Sequence, residues 1–126
     1  MDSQRPDSLL KVLQDNNLCI LFREYLRSKY CAENLSFWIE VEEFRVINDP
    51  VQRRRKATEI HDKYFSSDSV FEINLEEEIK QTVASEISDP DATLFDEAQN
   101  AILYLMENDS LVGFLTSELY KVYSCK

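Results

Sequence analysis

The chain has 126 residues, a length typical of one domain, and its 24 acidic residues outnumber 14 basic ones to give a net charge of −10. With Gly113 as its single glycine, the chain cannot form a glycine-rich dinucleotide fingerprint or a Walker A loop. With His61 as its single histidine, it cannot form a two-histidine metal site. The acidic surface disfavours nucleic acid, so we expect no nucleic-acid partner. From the missing glycine and histidine motifs we expect no metal and no cofactor.

The cysteines and the hydropathy pattern indicate a protein of the cytoplasm. Cys19, Cys31 and Cys125 are odd in number and form no C-x-x-C motif, which favours reduced thiols. No apolar run approaches the roughly 20 residues that a membrane-spanning helix needs. We therefore expect no integral membrane span.

Helical periodicity dominates the first half of the chain. A short helical turn over 8–13 precedes an amphipathic helix, on which Leu18, Phe22 and Leu26 share a face. A third helix over 32–47 is apolar around more than half of its circumference. This breadth predicts a central helix with Trp38 buried at the centre of the bundle.

The second half continues with helices and short connections. A helix is predicted over 51–65, with His61 on the apolar face as a core histidine rather than a base. Another is predicted over 75–86, with a packed loop between the two. Thr93 to Asp96 resembles a capping box that opens a helix to about residue 107, and Ser110 can cap the last helix. The pattern predicts a single-domain, all-α bundle of six to nine helices.

Charged clusters allow two interpretations. The run Arg53, Arg54, Arg55 and Lys56 can bind an anionic lipid headgroup or a phosphorylated partner, or it can be a solvated helix face. For Glu40 and the neighbouring acids Glu42 and Glu43, a solvated stripe is the expectation, since no histidine or cysteine lies at ligand spacing.

Polar residues gather at the predicted helix junctions, and no set of residues indicates catalysis. The G-x-S-x-G motif is absent, and Cys31 with a distant His61 does not make a dyad. The junction residues are Glu33 with Asn34, then Asn74, then Asp109 with Ser110. Taken singly, such residues are expected to be helix caps.

Together with their apolar context, these junctions resemble a known family. The segment over 30–44, YCAENLSFWIEVEEF, is similar to the signature of regulator of G-protein signalling (RGS) domains. INL at 73–75, FDEAQ at 95–99, LMENDS at 105–110 and FL at 114–115 resemble its later motifs. The resemblance extends over about 8–120 and implies a two-lobed, all-α fold of about nine helices. It divides the chain into an N-terminal extension over 1–7, the RGS domain over 8–123 and a tail over 124–126.

The resemblance also implies an activity. RGS domains accelerate GTP hydrolysis by α subunits of heterotrimeric G proteins and perform no chemistry themselves, so this chain is not expected to be an enzyme. GTP and magnesium belong to the α subunit. We expect a monomer that acts in the cytoplasm, at the inner face of the plasma membrane. By position, the residues that would bind the switch segments of the α subunit are Tyr30, Glu33, Asn34, Asn74, Leu105, Asp109 and Ser110.

Two residues depart from the family pattern. Lys29 stands where an acid is common, and Gly113 stands where a basic residue usually supports the region of Asp109. Because glycine weakens a helix, Gly113→Arg is expected to stabilise the domain. Activity is expected to persist. The alternatives are an RGS-like scaffold that binds a partner without activating it, and a generic helical adaptor whose junction residues are only caps.

Overall fold

A computed structural model describes residues 9–29 and 32–124. Over these ranges the chain forms eight α-helices and one π-helical segment and contains no β-strand, which confirms the all-α prediction. The chain divides into two compact units. We call residues 33–102 the central unit, and residues 1–32 together with 103–126 the terminal unit. No helix in the described ranges combines the length and the apolarity needed to cross a bilayer.

The terminal unit is built from short helices at both ends of the chain. Helix α2 begins after Asp15, whose carboxylate accepts a hydrogen bond from the Leu18 amide at 3.0 Å. Its buried residues are the predicted stripe of Leu18, Phe22 and Leu26. The helices of the terminal unit are α1 (Leu9–Gln14), α2 (Asn16–Ser28), the π segment (Met106–Ser110), α7 (Leu111–Leu115) and α8 (Glu118–Ser124).

An aromatic cluster forms the core of the terminal unit. Phe114 is fully buried, and its ring centroid lies 5.3 Å from that of Phe22, 5.8 Å from Tyr25 and 5.5 Å from Tyr120. These tilted and edge-to-face contacts are the arrangements that aromatic rings prefer. They pack α7 against α2 and α8.

A second aromatic core lies within the central unit. Helix α4 begins with Pro50, after Asp49 accepts a hydrogen bond from the Gln52 amide at 3.1 Å. Phe37 and Phe95 are fully buried, with ring centroids 6.3 Å apart. The helices are α3 (Ala32–Arg45), α4 (Pro50–Tyr64), α5 (Glu77–Glu86) and α6 (Asp96–Leu105), whose last three residues belong to the terminal unit.

A partly buried polar network centred on Gln99 joins α3 to α6. The side chain of Gln99 is among the most buried polar groups described, since the residue is only 5% exposed. Its Nε2 donates to the Trp38 carbonyl at 3.1 Å and to Glu42 Oε2 at 2.7 Å, and its Oε1 accepts from Arg45 Nη2 at 2.6 Å. Arg45 also donates to Asp96 at 2.8 Å and pairs with Glu42. Every polar atom of the Gln99 amide is therefore satisfied.

Two predictions about burial are wrong. Helix α3 buries Leu35, Phe37, Val41 and Phe44, but Trp38 is half-buried and does not lie at the centre of the bundle. His61 is also half-buried rather than a core residue, with its Nδ1 3.4 Å from Asp62 Oδ1. Periodicity assigns residues to a helix face, but the neighbouring elements decide how much of that face they cover.

Two predicted helix starts are also wrong. Helix α5 begins at Glu77 and not at residue 75, after an N-cap that makes no side-chain hydrogen bond. Thr93 does not cap α6. Asp91 instead accepts hydrogen bonds from the Thr93 amide at 2.8 Å and from its hydroxyl at 2.6 Å, which holds a turn before α6 begins at Asp96. The short side chain of Thr93 is already engaged by this turn.

Candidate functional site

The first predicted site residues lie on the opening turn of α3. The helix begins at Ala32, so Glu33 and Asn34 are its second and third residues, and both are half-buried. A residue in the third helical position does not have the extended backbone of an N-cap. Asn34 is therefore not the N-cap of α3.

Asn74 lies in the connection between α4 and α5. It is exposed, whereas its neighbour Ile73 is only 2% exposed and donates its amide hydrogen to the Tyr64 carbonyl at 2.9 Å. The buried Ile73 thus anchors the loop one residue before Asn74. The N-cap of α5 is Glu76, two residues further on, so Asn74 is not the cap of that helix.

The π segment carries Asp109 and Ser110. Asp109 is exposed and Ser110 half-buried, and Leu105, the last residue of α6, is also half-buried. Ser110 has helical backbone angles, with φ −80° and ψ −40°, and makes no capping hydrogen bond through its side chain. The prediction that it caps the last helix is therefore wrong: α6, the π segment and α7 follow one another without a break.

Contacts of the three residues before Asp109 hold the π segment. Met106 is fully buried, and the Glu107 carboxylate accepts a hydrogen bond from the Leu9 amide at 3.1 Å. The side-chain amide of Asn108 donates from Nδ2 to the Tyr104 carbonyl at 2.8 Å. Single turns of π-helix inside α-helices occur frequently at functional sites. Here the turn presents Asp109 to solvent from an anchored backbone.

The structure groups the predicted residues into three places. Glu33 and Asn34 are adjacent on α3, and Asn74 stands alone on its loop, both within the central unit. Leu105, Asp109 and Ser110 lie within six residues of each other in the terminal unit. Tyr30 lies outside the described residues.

The basic run on α4 does not form a uniform patch. Arg53 donates to the Ile47 carbonyl at 2.8 Å, and the Lys56 ammonium lies 3.2 Å from Glu40 Oε1 and 3.5 Å from Glu43 Oε1. Partial burial opposes the charged form of Lys56, but the two glutamates outweigh it and raise its pKa. Within the run, only Arg54 and Arg55 are exposed, whereas Arg53 and Lys56 are half-buried.

Glu40 belongs to a network and not to a solvated stripe. Its carboxylate accepts hydrogen bonds from the Tyr64 hydroxyl, from Lys63 at 3.1 Å and from Lys56 at 3.2 Å. Partial burial disfavours the charged carboxylate, but these three donors outweigh burial and lower the pKa of Glu40. Burial and the Glu40 charge raise the pKa of Tyr64. The network holds α3 against α4.

Both departures from the family pattern lie next to Tyr25. A Cβ built on Gly113 would overlap the hydroxyl oxygen of Tyr25, and it would lie 3.2 Å from Tyr25 Cζ. The Lys29 ammonium is 5.8 Å from the centroid of the same ring. The expectation that Gly113→Arg stabilises the domain is therefore reversed, since any side chain at 113 displaces Tyr25 or α7.

The π segment and the role of Tyr25 were missed by sequence reasoning. One signal for the π segment exists. The buried residues Ile102, Met106, Leu111 and Phe114 are separated by four, five and three positions. A step of five does not fit an ideal α-helix of 3.6 residues per turn and fits one wider turn. The contact of Tyr25 with Gly113 joins residues 88 positions apart and has no local signature.

Comparison with known proteins assigns the family. The sequence profile described as "Regulator of G protein signaling domain" matches residues 8–123. The chain is 36% identical over 117 residues to Regulator of G-protein signaling 5 of Sus scrofa, covering 93% of this chain and 65% of that protein. It is 34% identical over 113 residues to Regulator of G-protein signaling 1 of Xenopus tropicalis, covering 90% of this chain and 56% of that protein.

In a third relative, this chain covers a smaller share of the protein's length. Identity to Regulator of G-protein signaling 18 of Rattus norvegicus is 33% over 114 residues, covering 90% of this chain and 48% of that protein. The chain thus spans between about half and two thirds of the length of these relatives. It belongs to the RGS-domain family.

Proposed function

We propose that this domain accelerates GTP hydrolysis by α subunits of heterotrimeric G proteins. One observation carries the proposal beyond family membership. Neither Asn34 nor Asn74 is the N-cap residue of the helix that it adjoins, and the Ser110 side chain makes no capping hydrogen bond. Asn34 lies within the first turn of α3, and Asp109 faces solvent from an anchored π segment. These side chains are available to a partner.

The proposed mechanism is differential binding. The α subunit supplies an arginine and a water-orienting glutamine, so the domain needs only to hold the switch segments in the transition-state arrangement. The Asn34 amide can donate and accept hydrogen bonds at once, and the Asp109 carboxylate can accept from backbone amides or hydroxyls. Each 1.36 kcal/mol of preference for the transition state over the ground state accelerates hydrolysis tenfold.

The setting of this activity belongs to the same proposal. α Subunits of G proteins act at the inner face of the plasma membrane, and we place the domain there as a monomer in the cytoplasm. Peripheral membrane contact through α4 rests on Arg54 and Arg55, because Arg53 and Lys56 already bind other groups of the chain. Two basic residues supply about 1 kcal/mol each near an anionic surface, which makes the contact weak.

Binding in three nucleotide states tests the proposal. A panel of α subunits is loaded with GDP, with a non-hydrolysable GTP analogue, or with GDP and aluminium fluoride, which mimics the planar transferring phosphoryl group. We expect the tightest binding in the aluminium fluoride state. Equal affinity for the GDP state would refute the transition-state mechanism.

Single-turnover GTP hydrolysis separates activation from scaffolding. Tight binding with accelerated hydrolysis supports the proposal, and tight binding with an unchanged rate identifies the RGS-like scaffold instead. Binding to no member of the panel in any state leaves the helical adaptor. The variant Arg54→Ala/Arg55→Ala serves as the control, since it alters charge on α4 and leaves Asn34 and Asp109 in place.

A further inference from the structure

Tyr25 fills the space beside the only glycine of the chain. Its hydroxyl oxygen lies where the Cβ of any other residue at position 113 would be, and its Cζ is 3.2 Å from that point. Gly113 lies inside α7, where a glycine weakens the helix. The close approach of Tyr25 explains why a residue without a side chain stands at position 113.

The aromatic core holds the Tyr25 ring in this place. Its ring contacts Phe114, which is fully buried and contacts Phe22 and Tyr120 in turn. Lys29 at the end of α2 adds a cation–π contact at 5.8 Å. A displacement of the ring from Gly113 therefore disturbs its contact with Phe114.

The position of α7 affects the predicted switch-binding residues, because the π segment that carries them continues into α7. Leu111 has helical backbone angles, with φ −63° and ψ −43°, and its amide donates to the Met106 carbonyl. The π segment thus passes directly into α7, and Gly113 is four residues after Asp109. A shift of α7 away from α2 moves the backbone that presents Asp109 and Ser110.

We propose that Tyr25 is a positioning residue that sets where the π segment presents Asp109 and Ser110, by packing its hydroxyl end against Gly113. The consequence for α-subunit binding rests on the proposed function. The packing itself does not.

A double-mutant cycle tests the packing. The variants are Tyr25→Phe, which removes the overlapping oxygen and keeps the ring against Phe114, then Gly113→Ala, and the two combined. We expect Gly113→Ala alone to lower the melting temperature by about 3 °C or more. In the Tyr25→Phe background at least half of that loss should disappear. Tyr104→Phe and Val112→Ala, both at exposed positions of the terminal unit, are the matched controls.

Two further measurements test the positioning. Amide hydrogen exchange of the π segment should accelerate in Gly113→Ala and return towards wild type in the combined variant. Affinity for an α subunit in the GDP–aluminium fluoride state should fall about tenfold in Gly113→Ala and recover in the combined variant. Affinity is measured per folded molecule. A change in affinity therefore reports the position of the π segment and not a smaller folded fraction.

Two results would overturn the inference. One is an equal melting loss for Gly113→Ala in both backgrounds, because the hydroxyl would then not be what Gly113 accommodates. The other is unchanged exchange in the π segment together with unchanged affinity. If the wild-type domain accelerates no α subunit, the proposed function fails, and the melting and exchange measurements still decide the role of Tyr25.

Discussion

Asn34→Ser separates a role in binding from a role in folding. Because Asn34 is the third residue of α3 and not its N-cap, its replacement by serine leaves the N-cap residue unchanged. Asparagine and serine have similar helix propensities. The free energy of unfolding should therefore change by less than about 1 kcal/mol.

The effect on activation should be much larger. Serine loses the reach of the amide and its paired donor and acceptor. A lost hydrogen bond costs about 0.5–1.5 kcal/mol, and a stranded buried partner costs about 1–3 kcal/mol. Two such contacts predict a loss of about ten- to several-hundredfold in the acceleration of GTP hydrolysis. Asn34→Ala should impair acceleration further.

The assay pairs chemical unfolding with single-turnover GTP hydrolysis, measured on the same protein preparation. Asn48→Ser is the matched control, since Asn48 is exposed in the connection between α3 and α4, and it should leave both quantities unchanged. A large loss of stability with unchanged acceleration per folded molecule would return Asn34 to a structural role and refute the reasoning.

Three predictions concern the central unit. Gln99→Leu removes the hydrogen bonds to the Trp38 carbonyl, Glu42 and Arg45 and should cost about 2–4 kcal/mol of unfolding free energy in urea titrations, whereas the exposed control Gln81→Leu should cost under about 0.5 kcal/mol. Trp38→Ala should cost about 2 kcal/mol in the same titration, below the range for a fully buried tryptophan; a loss above about 4 kcal/mol would contradict its half-buried position. Because the pKa of Glu40 is lowered below its ordinary 4.5 in the folded state, the stability it contributes is complete well above that pH and is lost as pH falls through and below it. Unfolding free energies measured from pH 7 to pH 3 should therefore differ most between wild type and Glu40→Gln at neutral pH and converge in acid, and a constant difference would contradict the network.

The amphipathic helices were predictable because their signal is local. Leu18, Phe22 and Leu26 repeat with the period of a helix, and their burial in α2 follows from that spacing. Asp49 before Pro50 likewise indicates the start of α4 within four residues of sequence. The family motifs add the positions of the predicted site residues, and their roles in switch binding remain predictions.

Helix starts were less predictable, because several residues in a connection have side chains that can form either a cap or a turn. Thr93 has the side chain of a cap, but Asp91 engages it first in a turn. Ser110 likewise has the residue type of a cap and lies within a continuous helix. Residue preference states what a side chain can do, and the surrounding backbone decides whether its partner is available.

The sequence by itself determined the helical class of this protein, its amphipathic faces and its family, because these depend on residue types at short, regular spacings. Only the tertiary structure decided that Glu40 gathers Tyr64, Lys63 and Lys56, and that Tyr25 meets Gly113. These pairs lie between 16 and 88 positions apart in the chain. Their meeting depends on how whole helices pack, and packing is set by the combined shape and volume of many side chains rather than by any local pattern.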